Sequence, residues 1–387
     1  MRAHYVLGLG LVLLAGCRKG SANTSSVFVA AAPAGTQGCA SAGAVASATN
    51  VFASASFGPK SQIVAASGVA DDTFYFTGRD GVFALALPAG SSPVETELVA
   101  PGQVRIEVLQ PAGIDQAAEL SGIAILDDAF LAVAEHTSNS LLLVQRAGPA
   151  AVLPLAGQRN SVGGFASGVG DGIRFHFGAS VPLFADAAGG LFVGDTENQA
   201  LRQVSLDASD PAVAITITGS GAAGSGVGSL LGTSLDTPSG LAASCGGDLL
   251  VVEAGLDGVG GNRLLRVHLA GASFFGGLDG ATDVLAGDGT ELTTQGAGTQ
   301  AQLAHPKGLA TDAGGRAYWV DATSLILRRY DFATGACDCP MFADCATALL
   351  SPSPFSGFHF SVAIGASGAI YVLDADSLGG TLWRVTP

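Results

Sequence analysis

Positive charge is scarce in this sequence, and so are the short motifs that mark common active sites. The 387 residues include 17 Lys and Arg against 32 Asp and Glu, which gives a formal net charge of −15 at pH 7. A surface this acidic repels phosphate groups, so the composition excludes nucleic acid as a partner and argues against electrostatic docking onto anionic lipid. The chain also lacks a phosphate-binding loop, an H-E-x-x-H motif and a G-x-S-x-G motif.

No apolar run is long enough to cross a bilayer as an ordinary helix. The stretch YVLGLGLVLLAG follows the positively charged Arg2 and has the length of the apolar region of a signal peptide. It ends in LLAGC, which resembles the bacterial lipobox that is cut just before a lipid-bearing Cys. We therefore predict a lipoprotein signal peptide at residues 1–16 and a lipidated Cys17. The alternative is a plain signal peptide followed by a chance Cys.

The segment from Cys17 to residue 48 is small and polar, and it predicts a flexible tether between the lipid and a folded body. Within it, SVFVAA (26–31) could form a strand. Attached acyl chains would hold the protein on a membrane of the bacterial envelope without a transmembrane helix. Residue 18 is Arg rather than the Asp that resembles an inner-membrane retention signal, which favours the outer membrane over the inner one.

Glycine is abundant, at 56 residues, and so are short apolar runs. Six segments share one pattern, in which two apolar runs joined by a tight turn end at a fixed position before a third run. This position recurs every 53 to 68 residues and is acidic in five copies: Glu135, Asp195, Glu253, Asp321 and Asp374. A degenerate first copy, SGVADDTFYFTG, ends at Gly78. Self-similarity of this kind predicts a repeat architecture.

Each copy predicts a strand, a hairpin turn, a second strand, a polar turn and a third strand. A fourth strand follows in several copies, as in AVLPLAG (151–157), VAITITG (213–219) and TDVLAG (282–287). The runs are apolar on both sheet faces, so the units must stack on one another. The sequence therefore predicts an all-β fold, a six-bladed β-propeller of four-stranded antiparallel blades, over residues 49–387.

The chain ends at TLWRVTP, the third strand of the last copy, with no fourth strand after it. An open blade would expose a bare strand edge, which proteins avoid. We therefore expect an N-terminal segment to supply the missing strand. The candidates are NVFASAS (50–56) and, as the alternative, SVFVAA (26–31).

The repeats also resemble a known family, the NHL repeats. The segments VPLFADAAGGLFVGDTENQALRQV and HPKGLATDAGGRAYWVDATSLILRRY carry the resemblance, together with LAGQRNSVGGFASGVGDG and LAGDGTELTTQGAGTQ before them. The resemblance covers residues 120–334 well and the two ends poorly. NHL-like propellers include binding modules, lyases and lactonases, so the resemblance implies a fold rather than an activity.

The acidic positions have two interpretations. In a propeller they would recur on the face that carries the loops between blades, here called the loop face. A carboxylate at a strand end accepts hydrogen bonds from turn N–H groups, and the resemblance implies a structural corner, so we expect a scaffold role. A ring of carboxylates could instead hold Ca²⁺, a hard cation that prefers oxygen ligands. Otherwise the sequence calls for no cofactor and specifies no metal.

Four histidines fall beside predicted strand ends on the same face: His136, His176, His305 and His359. Imidazole is a common general base and metal ligand, and some propeller lyases that resemble this fold use His there. No two of these histidines have a metal-ligand spacing. They are therefore candidates for a loop-face site, together with the five acidic residues, rather than members of a recognised motif.

The segment CDCPMFADC (337–345) places Cys337, Cys339 and Cys345 within nine residues. In an exported chain disulfides are the default, and a metal site is the alternative. We predict one bond from Cys345 to Cys337 or Cys339. The remaining cysteine should pair with Cys39 across the closing blade, and Cys245 should stay a free thiol.

These features favour a lipid-anchored envelope protein, a monomer that binds a protein or glycan ligand through its loop face without catalysis. The alternative is a propeller hydrolase or lyase of the lactonase type, with or without Ca²⁺. An enzyme should bring histidines and carboxylates together in a deep central pocket. A scaffold should fill the centre with small or apolar side chains.

Overall fold

The computed structural model describes residues 29–30, 47–69, 71–79, 81–99, 105–107, 115–117, 119–146, 151–159, 162–186, 190–205, 211–256, 258, 260–273, 277–342 and 344–386. The predicted signal peptide, Cys17 and Cys39 lie outside these residues. In the described part of the chain, no helix is long and apolar enough to span a bilayer. The strands form six antiparallel sheets and one short hairpin. The sheets are the blades of a six-bladed β-propeller, which confirms the predicted fold.

Two segments precede the blades, β1 (Val29–Ala30) and β2 (Ser47–Ser54). Blade I contains β3 (Ile63–Ala65), β4 (Asp72–Thr77), β5 (Val82–Leu87) and β6 (Val94–Val99). A hairpin of β7 (Arg105–Glu107) and β8 (Asp115–Ala117) follows. Blade II contains β9 (Leu120–Ile125), β10 (Phe130–Glu135), β11 (Ser140–Gln145) and β12 (Val152–Ala156).

Blade III contains β13 (Gly168–Val169), β14 (Leu183–Ala185), β15 (Gly190–Asp195), β16 (Ala200–Ser205) and β17 (Val213–Thr218). Blade IV contains β18 (Gly228–Ser229), β19 (Pro238–Ala243), β20 (Leu249–Glu253), β21 (Arg263–Ser273) and β22 (Gly277–Ala286). Blade V contains β23 (Gly296–Ala297), β24 (Pro306–Thr311), β25 (Arg316–Asp321), β26 (Ile326–Asp331) and β27 (Ala336–Asp338). Blade VI contains β28 (His359–Ile364), β29 (Ile370–Ala375) and β30 (Gly380–Thr386).

Helical structure is confined to single turns between strands. There are four three-residue 3₁₀ turns in the described chain, at Gly170–Gly172, Thr196–Asn198, Leu230–Gly232 and Gly298–Gln300, and one short helix, α1 (Cys345–Leu350). The first, third and fourth 3₁₀ turns follow β13, β18 and β23. These two-residue strands pair with the outermost strand of blades III, IV and V. The segments before the first main strands of these blades therefore run along the outer blade edge, so these blades have a fifth strand.

The first main strand of every blade faces the propeller axis. β3, β9, β14, β19, β24 and β28 contact one another in this order, and β28 contacts β3 again. The ring is thus closed. The predicted fourth strands of blades II, III and IV are confirmed as β12, β17 and β22.

The ring is closed by the N-terminal strand β2. It pairs antiparallel with β30 from Ser47↔Thr386 to Ser54↔Gly380 and so becomes the fourth strand of blade VI. This confirms NVFASAS as the closing segment. The alternative segment, SVFVAA, supplies β1, which pairs with the far end of β21 in blade IV.

Apolar side chains on both faces of each sheet pack between neighbouring blades. One cluster joins Phe192 and Leu201 of blade III to Leu241 and Leu249 of blade IV, and all four are at most 6% exposed. Burying a side chain of this size contributes about 1.5–3 kcal/mol. Each blade therefore depends on both neighbours, which explains why the strands read as apolar on two faces.

Blade I corrects one detail of the repeat alignment. Thr77 pairs with Val82 in the same register in which Asp195 pairs with Ala200 and Asp321 with Ile326. The corner position of blade I is therefore Thr77 and not Gly78. The Thr77 hydroxyl accepts the backbone N–H of Gln62 at 3.0 Å, so a neutral oxygen takes the place of the carboxylate.

Left-handed residues at the end of the polar turns connect successive blades. Asn139, Gln199 and Asn262 have φ angles of 54°, 48° and 50°. Their side-chain oxygens accept backbone N–H groups from the loop that leads to the next blade, those of Phe177, Thr237 and His305. Asn tolerates the left-handed region better than most residues. These contacts fix each blade against the one that follows.

The cysteine pairing is partly as expected. Cys339 and Cys345 form a disulfide, which confirms a bond inside the cluster. Cys337 is a free, buried thiol, so its predicted pairing is wrong. β27 ends at Asp338, and Cys339 then packs beside α1. Cys337 instead faces the core between blades IV and V, where Arg328 Nη2 donates to its sulfur at 3.2 Å.

Cys245 is disulfide-bonded, so the prediction of a free thiol there is also wrong. Its partner lies outside the described residues. With Cys337 free and Cys339 bonded to Cys345, no cysteine of the cluster remains to bond Cys39. The predicted bridge between the cluster and Cys39 is therefore excluded.

Candidate functional site

The five acidic corners lie at the loop-face end of the second long strand of each blade and are buried. Glu135, Asp195, Glu253 and Asp321 are 0% exposed, and Asp374 is 5% exposed. Each carboxylate accepts backbone N–H groups from the loop that enters its own blade, those of Glu119, His176, Asp236, Ala304, and Ser356 with Gly357. The corners thus hold the entry loops in place, as the scaffold interpretation requires.

Three corners also carry a buried arginine from the next strand. Arg202 Nη1 lies 2.9 Å from Asp195 Oδ2, and Arg328 Nη1 lies 2.5 Å from Asp321 Oδ2. Arg263 Nη2 lies 2.6 Å from Glu253 Oε2. Sequence reasoning missed these arginines. The available signal was an Arg seven residues after the acidic position in ALRQV and ILRRY.

The same arginines reach across to the entry loops. Arg202 donates to the carbonyl oxygens of Arg174 and Ala166, at 3.1 and 2.7 Å. Arg328 donates in the same way to Gln302 and Thr294, at 3.0 and 2.7 Å. Several acceptors thus offset the burial of each cation, although Nε of Arg202 has no hydrogen-bond partner among the described residues. The acid and the arginine therefore form one clamp that closes the blade.

Burial dominates the electrostatics of these clamps. It raises the pKa of Asp195 to about 6 and that of Glu253 to about 7, although the paired arginines oppose the rise. Burial also raises the pKa of Asp374. In the described part of the chain, no three His, Cys, Asp or Glu side chains gather where they could hold a metal ion. The corners are engaged separately and do not fit a shared Ca²⁺ site.

The four candidate histidines do not form one cluster. The backbone N–H of His176 is bonded to Asp195, and that of His305 is bonded to Asn262. His305 has a left-handed φ of 50°, and its Nδ1 lies 2.9 Å from Thr323 Oγ1. These two residues therefore belong to the entry loops, although His305 Nδ1 also lies 3.6 Å from Glu291 Oε1.

His136 is part of a small charged group at the loop-face end of blade II. Lys60 donates to Glu119 Oε2, and Lys60 Nζ lies 3.2 Å from His136 Nδ1. His136 Nδ1 is also 3.1 Å from Glu119 Oε2. The hydrogen bond from Lys60 lowers the pKa of Glu119. Burial, and then Lys60, lowers the pKa of His136, so its imidazole is neutral at pH 7.

His359 is the first residue of β28 and directly follows Phe358, whose carbonyl oxygen accepts from Lys307 of blade V. Burial lowers the pKa of His359 to about 4, and repulsion by Lys307 and Lys60 contributes. Lys307 is on β24, and its ammonium group donates to the carbonyl oxygen of Phe358 at 3.3 Å. Lys60 and Lys307 are the only lysines of the sequence after residue 19. We call the group Lys60, Glu119, His136, Lys307 and His359 the axial mouth.

The axial mouth predicts a measurable titration. Replacing both Lys60 and Lys307 with Met should raise the pKa of His359 from about 4 towards the value of about 6.5 for an unperturbed imidazole, although burial limits the rise. Because the folded pKa is depressed, protons favour the unfolded chain. The free energy of unfolding should therefore fall as the pH drops from about 6.5 to about 4.

The measurement is an NMR titration of the His359 ring protons, with the His268 ring as the internal reference. His268 lies on β21 and pairs with Asp248 at 2.7 Å, away from the mouth. A His359 pKa that stays the same in the double variant would show that the lysines do not face this imidazole.

Several large apolar side chains are exposed in turns and loops of the same face. Their exposed fractions are 58% for Leu256, 52% for Leu292, 74% for Phe358 and 85% for Leu378. Leu378 also lines a groove of about 410 Å³ between β2 and the entry loop of blade VI. Large apolar side chains exposed on one face can mark a binding surface.

Comparison with known proteins identifies the fold. No protein-family model and no curated protein matches the chain. A solved structure of unknown function from Bacteroides thetaiotaomicron is 15% identical, with a TM-score of 0.55 over 93% of this chain and 76% of that one. An auxiliary nutrient binding protein from the same bacterium is 10% identical, with a TM-score of 0.50 over 87% and 68%.

A luciferin-regenerating enzyme is 12% identical, with a TM-score of 0.50 over 88% of this chain and 95% of its own. At these identities the likeness shows the β-propeller fold alone. A binding protein and an enzyme both share the fold, so the function must be argued from the residues of this chain.

Proposed function

We propose that this chain is a lipid-anchored, NHL-like propeller of the bacterial envelope that binds an anionic group of a protein or glycan at the axial mouth, without catalysis. The observation that carries the proposal is the placement of two ammonium groups at the axial mouth, Lys307 against the carbonyl oxygen of Phe358 and Lys60 against His136. His359 is neutral at pH 7, because its pKa is about 4, and the Lys307 ammonium group bonds a backbone carbonyl oxygen rather than a carboxylate. A negatively charged ligand group would supply the charged partner that the Lys307 ammonium group lacks among its hydrogen bonds in the described structure.

The surroundings of the mouth favour a protein ligand. The protein has a formal net charge of −15, which repels an anionic partner at long range. The attraction must therefore come from the lysines of the mouth and from apolar contacts. The exposed Leu256, Leu292, Phe358 and Leu378 offer apolar contacts on the same face as the charged group. Protein interfaces combine an apolar patch with a few charged anchors. An acidic peptide segment with apolar neighbours has the complementary chemistry.

The binding test uses poly-L-glutamate and polygalacturonate as anionic probes and dextran as the neutral one. The mature chain should bind an anionic probe, and salt should weaken the binding. Replacing both Lys60 and Lys307 with Met should weaken it at least about tenfold, since hydrogen bonds to charged groups are among the stronger ones. The matched control is Arg266→Met, because Arg266 is exposed and pairs with Asp283. Equal binding of dextran, or no effect of the double variant, would refute the proposal.

The anchor is proposed from LLAGC and is tested separately. Replacing Cys17 with Ser should move the protein from the membrane fraction to the soluble fraction. A mature N-terminus without lipid mass would remove the anchor from the proposal and leave the binding test unaffected.

The second candidate function is a hydrolase or lyase, favoured by the contact of His136 with Glu119 at 3.1 Å. A neutral imidazole held by a carboxylate can act as a general base. In that case His136→Asn would abolish turnover of a lactone substrate, whereas His359→Asn would not. If the protein only binds, the original protein and both variants should show no turnover.

A further inference from the structure

A second pocket lies on the face opposite the loop face, where blade VI meets blade I. Its volume is about 340 Å³. Val51, Leu87, Pro88 and Pro93 form an apolar wall. The polar lining consists of Asp71, Asp72, Ser91, Ser367, Tyr371 and Arg384. Small-molecule sites occupy about 300–1,000 Å³ and combine an apolar wall with a few polar groups. This seam pocket has the size and lining of a site for a small ligand.

Asp72 belongs to the closure of the ring. It lies on β4 of blade I, but its carboxylate accepts hydrogen bonds from blade VI. The donors are Ser367 N at 2.8 Å, Ser367 Oγ at 2.6 Å and Tyr371 Oη at 2.6 Å. Burial alone would raise the pKa of Asp72, but these hydrogen bonds and the attraction of Arg384 hold it below the usual value. Asp72 is therefore ionised and already engaged.

Arg384 lies on β30, on the other side of the Tyr371 ring. Its guanidinium carbon is 6.0 Å from the centre of that ring. Its Nε is buried and has no hydrogen-bond partner among the described residues. Asp72 attracts Arg384, but no hydrogen bond joins the two side chains in the described structure. A guanidinium group offers five donors in a planar fork, so its preferred partner is an oxyanion that accepts two of them.

We propose that the seam pocket binds a small carboxylate that also carries a hydrogen-bond donor beside the carboxyl group, namely an amino acid or a hydroxy acid. The carboxylate would accept from Arg384, and the adjacent ammonium or hydroxyl group would donate to the exposed Asp71. A phosphate group is disfavoured, because two aspartates line the pocket and a second negative charge adds to the repulsion. The apolar wall suits a short branched side chain.

The position of the pocket gives binding a second readout. The lining comes from both blades of the seam and includes Val51 of the closing strand β2. A ligand that contacts both sides binds the closed ring and not the open one. Mass action then raises the thermal midpoint of unfolding with ligand concentration.

The test uses three matched probes with one isopropyl group each: L-valine, 2-hydroxyisovalerate and isovalerate. They carry an ammonium group, a hydroxyl group or neither beside the carboxylate. Inorganic phosphate is the fourth probe. Binding to the mature chain is measured by ligand-observed NMR and by the shift in thermal midpoint. We expect L-valine or 2-hydroxyisovalerate to bind at least about tenfold more tightly than isovalerate and phosphate, because of the extra bond to a charged group.

Two variants locate the site. Arg384→Gln should weaken binding of the preferred probe at least about tenfold. Asp71→Asn should abolish the tighter binding of the preferred probe relative to isovalerate. This substitution should leave the contacts between blades VI and I intact, because the only Asp71 hydrogen bond in the described structure uses the backbone oxygen. Arg266→Met is the control on another blade. Binding that survives both variants, tighter binding of phosphate, or no binding of any probe would overturn the proposal, and none of these outcomes bears on the axial mouth.

Discussion

A chain that begins at residue 55 should be less stable, by at least about 3 kcal/mol of unfolding free energy, than one that begins at residue 46, because burying even a few apolar side chains contributes that much. The shorter chain lacks β2, which pairs with β30 along its whole length. Val51 and Phe52 of β2 also pack on the core cluster shared by blades I and VI. Small folded domains have only about 5–15 kcal/mol of stability in total.

The two chains form a matched pair, because both lack Cys17 and Cys39. Urea denaturation followed by circular dichroism gives the free energies, and light scattering reports association through the bare edge of β30. A synthetic peptide of residues 47–54 should restore part of the lost stability by adding the missing strand. Equal urea midpoints for the two chains would show that the ring does not depend on β2.

The repeat pattern made the blades predictable. Apolar runs on both faces, Gly-containing turns and a regularly spaced acidic residue require stacked four-stranded units, and the missing last strand required a closing segment from the N-terminus. The position of Thr77 was not predictable, because a hydroxyl replaces the acid that anchors the alignment. The fifth strands were missed as well, since two-residue strands such as β13 leave no periodic signal.

The axial mouth and the seam pocket could not be predicted from the sequence for a different reason. Lys60 and His136 are 76 residues apart, and Ser367 and Asp72 are 295 apart. Such contacts depend on which strand ends the ring brings together, and no local pattern encodes them. The arginines of the clamps are an intermediate case. Arg202 and Arg328 follow the acidic corner at a fixed distance, but the sequence does not show that their side chains turn inward.

A substitution in the clamp of blade V, the Asp321–Arg328 pair, should also lower the stability of the fold strongly. Replacing Arg328 with Met is expected to lower the free energy of unfolding by about 3–5 kcal/mol, the cost of leaving a buried charge without its partner. Asp321 is 0% exposed, and the carbonyl oxygens of Gln302 and Thr294 would lose their donor too. Arg266→Met is the matched control, since the exposed Arg266–Asp283 pair should contribute about 1 kcal/mol or less.

The pH dependence of this loss separates a charge effect from a packing effect. Burial raises the pKa of Asp321, and Arg328 opposes the rise. Without Arg328 the folded pKa should lie further above the unfolded value of about 3.9. An acid with a raised folded pKa destabilises the fold as the pH rises through that window, so the deficit of Arg328→Met should be larger at about pH 7.5 than at about pH 4.5.

A neutral clamp should recover part of the loss. The double variant Asp321→Asn with Arg328→Met leaves no buried charge, and the Thr77 corner of blade I is already built around a neutral oxygen that accepts from Gln62 at 3.0 Å. We therefore expect the double variant to be more stable at pH 7.5 than Arg328→Met alone, as measured by urea denaturation. Two results would contradict this: a double variant less stable than Arg328→Met, or a stability loss of Arg328→Met that is the same at both pH values. Either result would mean that Arg328 acts through packing and its hydrogen bonds to the entry loop, and that the ion pair contributes little.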